Sequence, residues 1–230
     1  MTFLYYLVFS IFALKGCDIY SPTCTDFPML DGKGDFRLDG TAVLFGPGLT
    51  LSYGITDNLF VQADAYYTSE RSANRYYGLI SSGWYNNYDN KIVELFGGVS
   101  YGHGSVWSVD RDSHRLGDYG TCFLQGNYGW KGLANSHIDV ALGAKLGYYC
   151  AFLREYIYHY DHPTSSIKGI CNALFLEPTV DFRFGWEKLK FNVTAGYNFH
   201  QAINYSNKTE MCNHLCMELS LNYHFKSANR

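Results

Sequence analysis

The chain has 230 residues and a formal net charge of −3, so it carries no basic excess that would attract nucleic acid. Aromatic residues make up 18% of the sequence, including 21 tyrosines, alongside 23 glycines and only 5 prolines. This composition, with few helix-type periodic runs, indicates an all-β protein and argues against a helical one. Because alternation continues almost to the end of the chain, we expect a single domain.

The amino terminus has the pattern of an export signal. Phe3 to Leu14 is a continuous apolar run, too short to span a bilayer as a helix and of the right length for the hydrophobic region of a signal peptide. Leu14-Lys15-Gly16-Cys17 then resembles a bacterial lipobox. By that resemblance residues 1–16 are a signal peptide and Cys17 is lipidated, with residues 17–33 as a polar tether. An ordinary cleaved signal and a hydrophobic packing segment are the alternatives.

From Gly34 onward, apolar and polar residues alternate with a period of two, which predicts strands and not helices. The predicted strands lie at Gly34 to Phe45, Leu49 to Tyr53, Leu59 to Ser69, Arg75 to Tyr85, Ile92 to Trp107, Thr121 to Trp130, His137 to Leu153, Leu174 to Trp186, Leu189 to Phe199 and Leu215 to Phe225. In most of them one face is apolar throughout and the other is polar. The facing of Arg75 to Tyr85 is left open by its mixed polarity.

The clearest hairpin joins the eighth and ninth predicted strands across a Glu187-Lys188 turn. That turn sets Trp186 against Leu189, Phe184 against Phe191 and Val180 against Ala195, so the two apolar faces coincide without a register slip. The hairpin therefore has one oily face and one charged face. We expect the oily face to meet lipid.

The connections are predicted to alternate in length, with short turns at Thr56, Asn86, Lys131 and Glu187 and longer loops near Glu70, Asp110, Tyr158 and Asn204. An even number of strands with this alternation is typical of an antiparallel up-and-down transmembrane β-barrel of about ten strands, with eight as the alternative. Aromatic residues beside the short turns and near the carboxyl terminus predict an interfacial girdle of Tyr53, Trp84, Tyr85, Trp130, Trp186, Tyr223 and Phe225.

The last strand carries the most specific resemblance. Leu219, Leu221, Tyr223 and Phe225 alternate and finish on an aromatic residue, as the insertion signal of outer-membrane barrels does. The chain looks like the small outer-membrane β-barrels of Gram-negative bacteria, in particular the lipobox-bearing type of Bacteroidetes-like genomes. The resemblance covers residues 34–225, and residues 226–230 continue past it as a tail.

That resemblance implies an outer-membrane location with the amino terminus in the periplasm. It also implies contact with outer-membrane lipid and with the barrel-assembly machinery during insertion. The class hosts pores, enzymes, adhesins and purely structural barrels, so the resemblance names no activity and no extracellular ligand.

The polar strand faces predict a network that fills the lumen. Barrels of about this size have interiors packed with side chains, so we expect a structural lumen. A narrow pore with a cation preference is the alternative, because acids outnumber bases among the predicted lumen residues. The charged members of this set are Arg37, Asp39, Asp64, Glu94, Asp139, Lys145, Glu177, Asp181, Arg183, Lys190 and Glu218.

Other candidate sites are weaker. Cys150 and Cys171 flank a predicted polar loop and are the candidate disulfide. Two patterns could supply metal ligands, but neither has convincing spacing, and we expect no metal and no cofactor. These patterns are His159 with Asp161 and His162, and Cys212 with His214 and Cys216.

Two other classes of function remain as alternatives. A barrel-rim hydrolase or lipid-modifying enzyme would use His103, His114 or His200 with Ser105, Ser108 or Asp112, although no GxSxG, HExxH or P-loop pattern occurs. A soluble lipocalin-like lipoprotein would turn the oily face inward. The polar face argues against the second, because it is rich in small residues and isolated charges and poor in the Lys and Glu of a water-facing surface.

Overall fold

A computed structural model describes residues 27–43, 46–70, 72–108, 112–159, 162–186, 188–205 and 214–226. Ten antiparallel strands form a closed barrel in which each strand pairs with the next along the chain and the last pairs with the first. The strands are β1 (Phe36–Val43), β2 (Gly46–Gly54), β3 (Leu59–Glu70), β4 (Ala73–Tyr88), β5 (Lys91–Trp107), β6 (Ser113–Gly132), β7 (Ile138–His159), β8 (His162–Gly185), β9 (Leu189–Tyr205) and β10 (His214–Phe225). The predicted ten-stranded up-and-down barrel is confirmed.

One helical turn, α1 (Leu133–Ser136), connects β6 to β7. Within the described ranges, no helix has the length and apolar character needed to cross a bilayer. Both barrel termini, Phe36 and Phe225, pair at the same end of the barrel, which we call the terminal end. The connections β2–β3, β4–β5, β6–β7 and β8–β9 also lie at the terminal end.

Strand facing follows the predicted alternation. In β8 the residues Leu176, Phe182 and Phe184 point out and are 45%, 47% and 48% exposed, while Glu177 and Asp181 point into the barrel and are buried. In the β8–β9 hairpin, Phe184 pairs with Phe191 and Val180 with Ala195, as the sequence predicted. The oily face is therefore the exterior of the barrel.

Several strands are longer than the sequence indicated. β6 begins at Ser113, and β7 and β8 contain 22 and 24 residues. His159 pairs with His162, so the long loop predicted near Tyr158 is wrong, as is the one near Glu70, where Glu70 pairs with Ala73. Backbone groups make the ladder hydrogen bonds, so pairing continues through segments whose polar side chains gave no alternating pattern.

The lumen contains an aromatic layer in addition to the predicted polar one. Phe60, Phe96 and Phe123 meet edge to face at centroid distances of 5.2 and 6.4 Å. A second row joins tyrosine rings at 6.1, 6.3 and 5.9 Å, and consists of Tyr66, Tyr77, Tyr119 and Tyr149. Gly102 makes room for this row, because a Cβ there would lie 2.3 Å from the Tyr119 ring.

Residues 27–35, which precede β1, lie inside the barrel and are called the lumen segment below. Phe27, Met29 and Leu30 are all buried there. The predicted tether spans residues 17–33, and its described part is therefore packed within the lumen. Cys17 and the predicted signal peptide lie outside the described residues.

Candidate functional site

The charged residues predicted to line the lumen all lie on inward strand faces. Asp39 is half-buried and the others are buried. Three ion pairs join members of this set among the described residues. Lys145 Nζ lies 3.1 Å from Glu177 on the neighbouring strand, and Arg183 Nε lies 2.6 Å from Asp181 on the same strand. Lys190 Nζ on β9 lies 2.7 Å from Asp139 on β7, so this pair reaches across β8.

Amide side chains supply donors to other lumen carboxylates. Asn127 Nδ2 donates to Glu94 at 2.8 Å, and Gln62 Nε2 donates to Asp64 at 3.1 Å. Asn222 Nδ2 donates to Asp39 at 2.6 Å. Because a buried charge without such partners is strongly unfavourable, these bonds are what allow so many acids to occupy the barrel interior.

The lumen segment is attached to this network by its backbone. The Met29 N–H donates to Glu94 Oε1 at 2.6 Å, and Arg183 Nη2 donates to the Phe27 carbonyl oxygen. Lys131 Nζ donates to the Leu30 carbonyl oxygen at 3.0 Å. Side chains from three strands thus hold a segment whose sequence has no periodicity, which is why sequence reasoning placed it outside the barrel.

Asp31 of the lumen segment contacts two lysines. Its Oδ1 lies 2.7 Å from Lys131 Nζ, and its Oδ2 lies 3.5 Å from Lys226 Nζ. Burial alone would raise the pKa of Asp31, but the charge and hydrogen bond of Lys131 outweigh it and hold that pKa well below its ordinary value. Asp31 is therefore ionised whenever the segment is docked at neutral pH.

A cavity of about 730 Å³ opens at the terminal end, between the lumen segment and the inward faces of the strands. Asp89, Asn90 and Lys226 at its rim are exposed, whereas Arg37 and His224 on its wall are buried. Deeper in the barrel, a cavity beside Phe27 and Arg183 has a volume of about 20 Å³, which is room for about one water molecule. The large cavity at the terminal end is called the vestibule below.

The vestibule also contains the one potential metal-ligand group found among the described residues. Ligand atoms of Asp31, Asp35 and His224 lie within 4.8 Å of one another. Lys131 already pairs with Asp31, while Asp35 Oδ2 accepts the backbone N–H groups of Asp31 and Gly32 at 2.7 and 3.0 Å. With the Lys131 and Lys226 ammonium groups beside Asp31, this group is a poor site for a cation.

The predicted aromatic girdle is placed at the terminal end with one correction. Tyr53, Trp84, Trp186 and Phe225 point outward and are exposed, and Trp130 and Tyr223 are half-buried on the exterior. Tyr85 instead points into the lumen, where it is fully buried and donates to the Thr56 carbonyl oxygen at 2.9 Å. Consecutive strand residues face opposite sides, so Trp84 and Tyr85 cannot share the exterior.

The candidate disulfide is also wrong. Cys171 pairs in register with Ala151, so Cys150 is one position out of step and lies on the outer face, while Cys171 is buried on the inner face. Cys122, Cys150, Cys171 and Cys216 form no disulfide with one another. Of the two weak metal patterns the structure describes one side chain, that of Cys216, which is buried. The side chains of His159, Asp161, His162, Cys212 and His214 lie outside the described residues.

The residues of the hydrolase alternative do not converge on one site. Ser105 Oγ lies 2.8 Å from His114 Nε2, and His103 Nδ1 lies 2.9 Å from Asp118, both on the exterior. Ser108 donates to Asp112 instead, and His200 lies on an inward face. Among the described residues no carboxylate pairs with His114, so the Ser105–His114 pair lacks the third group that orients a catalytic base.

The exterior defines the class of protein. On β8 the outward residues from Leu174 to Phe184 are all apolar, and so are those of β10 from Leu215 to Phe225. Each stretch has about the 9–11 residues that a tilted strand needs to cross a bilayer. An apolar belt around a closed barrel, with paired charges inside, is the arrangement of a transmembrane β-barrel.

Comparison with known proteins identifies no family and no activity for this chain. No protein-family model matches the chain, and no curated protein matches it. Among solved structures, Neisserial surface protein A (NspA) is similar at 12% identity, with 84% of this chain and 94% of that chain covered and a TM-score of 0.29. At that TM-score the similarity carries no argument about this chain, so its class depends on its own exterior and lumen.

Proposed function

We propose that the protein is an outer-membrane β-barrel of a Gram-negative bacterium with a closed lumen and a structural or surface-interaction role. The observation that carries this proposal is that paired charges, aromatic rows and the lumen segment occupy the barrel interior. Permeability would be limited to a narrow path at most, because a barrel of this size filled by side chains leaves no wide channel.

The length of the strands supports a role at the surface. β7 and β8 contain 22 and 24 residues, about twice what the membrane requires, whereas β1 and β2 contain 8 and 9. Beyond the apolar belt, the outward side chains become polar, as at Asp118, Arg154 and Lys168. With the terminal end in the periplasm, β5 to β8 would project from the outer leaflet as a one-sided wall available to partners.

The proposed outer-membrane location includes a lipid anchor at the amino terminus. Cys17 would be lipidated after cleavage of residues 1–16, and the barrel would meet outer-membrane lipid after insertion by the assembly machinery. Metabolic labelling with a fatty acid tests the anchor, since a Cys17→Ser variant should take up no label. Label retained in that variant would exclude Cys17 as the modified residue.

Conductance in planar bilayers tests closure of the lumen. We expect the wild-type barrel to show no porin-sized current steps, and Lys131→Ala to raise conductance by loosening the lumen segment. Lys33→Ala is the matched control, because Lys33 is an exposed lysine of the same segment and should change nothing. Large stable steps in the wild type would contradict a closed lumen.

A further inference from the structure

Arg37 is a buried cation that forms no ion pair within the described residues. Its side chain lies on the inward face of β1 and the residue is only 4% exposed. Its Nε has no hydrogen-bond partner, and no carboxylate of the described residues forms an ion pair with it. Burying an arginine in this way is strongly unfavourable, and every other lumen arginine or lysine described above has an acidic partner.

The groups around Arg37 do not neutralise it. Its register partners across the two neighbouring strands are His224 and Ser52, neither of which is acidic. Arg183 lies near enough to repel it, while the acids that attract it from beyond ion-pair distance are Asp31, Asp39 and Asp139. Among the described residues no acid therefore forms an ion pair with the Arg37 guanidinium, while a second guanidinium lies near enough to repel it.

Those acids are occupied by other groups. Lys131 pairs with Asp31 at 2.7 Å, and Lys190 pairs with Asp139 at 2.7 Å, where the Gly132 N–H also donates at 2.8 Å. Asp39 accepts from Asn222 at 2.6 Å and from Asn192 at 3.1 Å. Moving any of them onto Arg37 would break a bond that is already made.

Arg37 also lines the vestibule, whose volume of about 730 Å³ leaves room for a solute in front of it. His224 lies on the same wall, where its Nε2 is 3.5 Å from Asp35 Oδ2 and makes no hydrogen bond among the described residues. A planar guanidinium binds carboxylate and phosphate oxygens through two parallel hydrogen bonds. An imidazole N–H beside it could donate one more.

The geometry points to an oxyanion site in the vestibule, in which Arg37 binds a phosphate or carboxylate group that enters from the terminal end and His224 adds a further donor. The ligand is inorganic phosphate or a small solute with such a group. It would neutralise the buried guanidinium, so its binding would stabilise the folded barrel by linkage. The site does not depend on the surface role proposed above.

Calorimetric titration of the refolded, full-length barrel in detergent with inorganic phosphate tests this site, with acetate as the carboxylate probe and sodium chloride of equal ionic strength as the blank. We expect saturable binding of phosphate, acetate or both. Binding of phosphate alone would indicate a phosphate-bearing ligand, and binding of acetate alone would indicate a carboxylate-bearing ligand. Arg37→Gln should weaken binding at least about tenfold. Arg37→Lys should weaken it less, because lysine keeps the positive charge but lacks the planar guanidinium that donates two parallel hydrogen bonds.

Lys188→Gln is the matched control, because it removes an exposed cation at the same end of the barrel outside the vestibule wall. It should bind as the wild type does. The midpoint of the heat-dependent change in gel mobility gives a second readout, which the probe that binds should raise in the wild type and not in Arg37→Gln. Absence of saturable binding of either probe to the wild type would overturn the proposal. Equal affinity in wild type and Arg37→Gln would do the same.

Discussion

Lys145 on β7 and Glu177 on β8 are direct register partners inside the barrel, with Lys145 Nζ 3.1 Å from Glu177 Oε1. The side chains are 7% and 0% exposed, so neither charge is solvated by bulk water. Asn198 also donates to Glu177 at 2.8 Å. Removing one partner of such a pair leaves the other as an uncompensated buried charge.

Lys145→Met should therefore destabilise the barrel by about 3–5 kcal/mol. The double variant Lys145→Met/Glu177→Gln should recover most of that loss, because no buried charge is left without a counter-ion. Urea unfolding in lipid vesicles, followed by the fluorescence of the four tryptophans, measures both. A single variant as stable as the wild type would show that the pair is not buried as described.

The exterior gives a second prediction. Val180 lies midway along the apolar outward stretch of β8, so Val180→Arg should lower the free energy of unfolding by about 2–4 kcal/mol in a bilayer. Ser166→Arg on the same strand is the control, since Ser166 is exposed beyond the apolar stretch and should tolerate the charge. Equal effects at the two positions would place the membrane elsewhere on the barrel.

Alternation predicted the facing of β8, β9 and β10 because each has one wholly apolar side, and the pairing of Phe184 with Phe191 followed from the turn length alone. The paired segments of β7 and β8 next to the turn between them were not predicted, because ladder hydrogen bonds involve only the backbone. Polar residues such as Ser165 and Ser166 also show no alternation between an apolar and a polar face. The prediction was wrong for Tyr85 because a position beside a turn favours the interface, whereas alternation with Trp84 directs the Tyr85 side chain into the lumen.

The sequence predicted less of the candidate site than of the fold. The acids and bases of the lumen could be named, since they alternate with apolar residues. Their partners could not, because pairs such as Asn192 with Asp39 join strands far apart in the chain. Met29 and Leu30 carried no signal, since a segment held by its backbone needs no pattern of side chains. Arg37 looked like any other lumen charge until its missing partner was visible.

The lumen segment gives a third prediction. Lys131→Ala removes the donor to the Leu30 carbonyl oxygen and to Asp31, so residues 27–35 should dock more weakly. Hydrogen–deuterium exchange of the peptide that contains them should become faster, while exchange in β8 should stay unchanged. Lys33→Ala should exchange as the wild type does. If Lys131→Ala leaves exchange unaltered, Lys131 does not hold the segment.

Asp31 makes docking dependent on pH. Its pKa is lowered in the folded protein by Lys131, against an unfolded value of about 3.9. A lowered folded pKa gives stabilisation that is fully present above the unfolded value and is lost as the pH falls through the folded value. Asp31→Asn should therefore be less stable than the wild type at pH 6, and the difference should shrink below about pH 4. If the difference in stability between the wild type and Asp31→Asn instead grew on acidification, the pKa of Asp31 would not be lowered in the folded protein.

Gel mobility of the outer-membrane fraction, with and without boiling, tests most directly whether the protein is a closed barrel that spans the outer membrane. We expect to find the protein in that fraction with a mobility that changes on heating, because a closed ladder of backbone hydrogen bonds resists detergent until it is unfolded. Recovery in the soluble or peripheral fraction, with no change on heating, would exclude such a barrel and would favour a soluble ligand-binding lipoprotein.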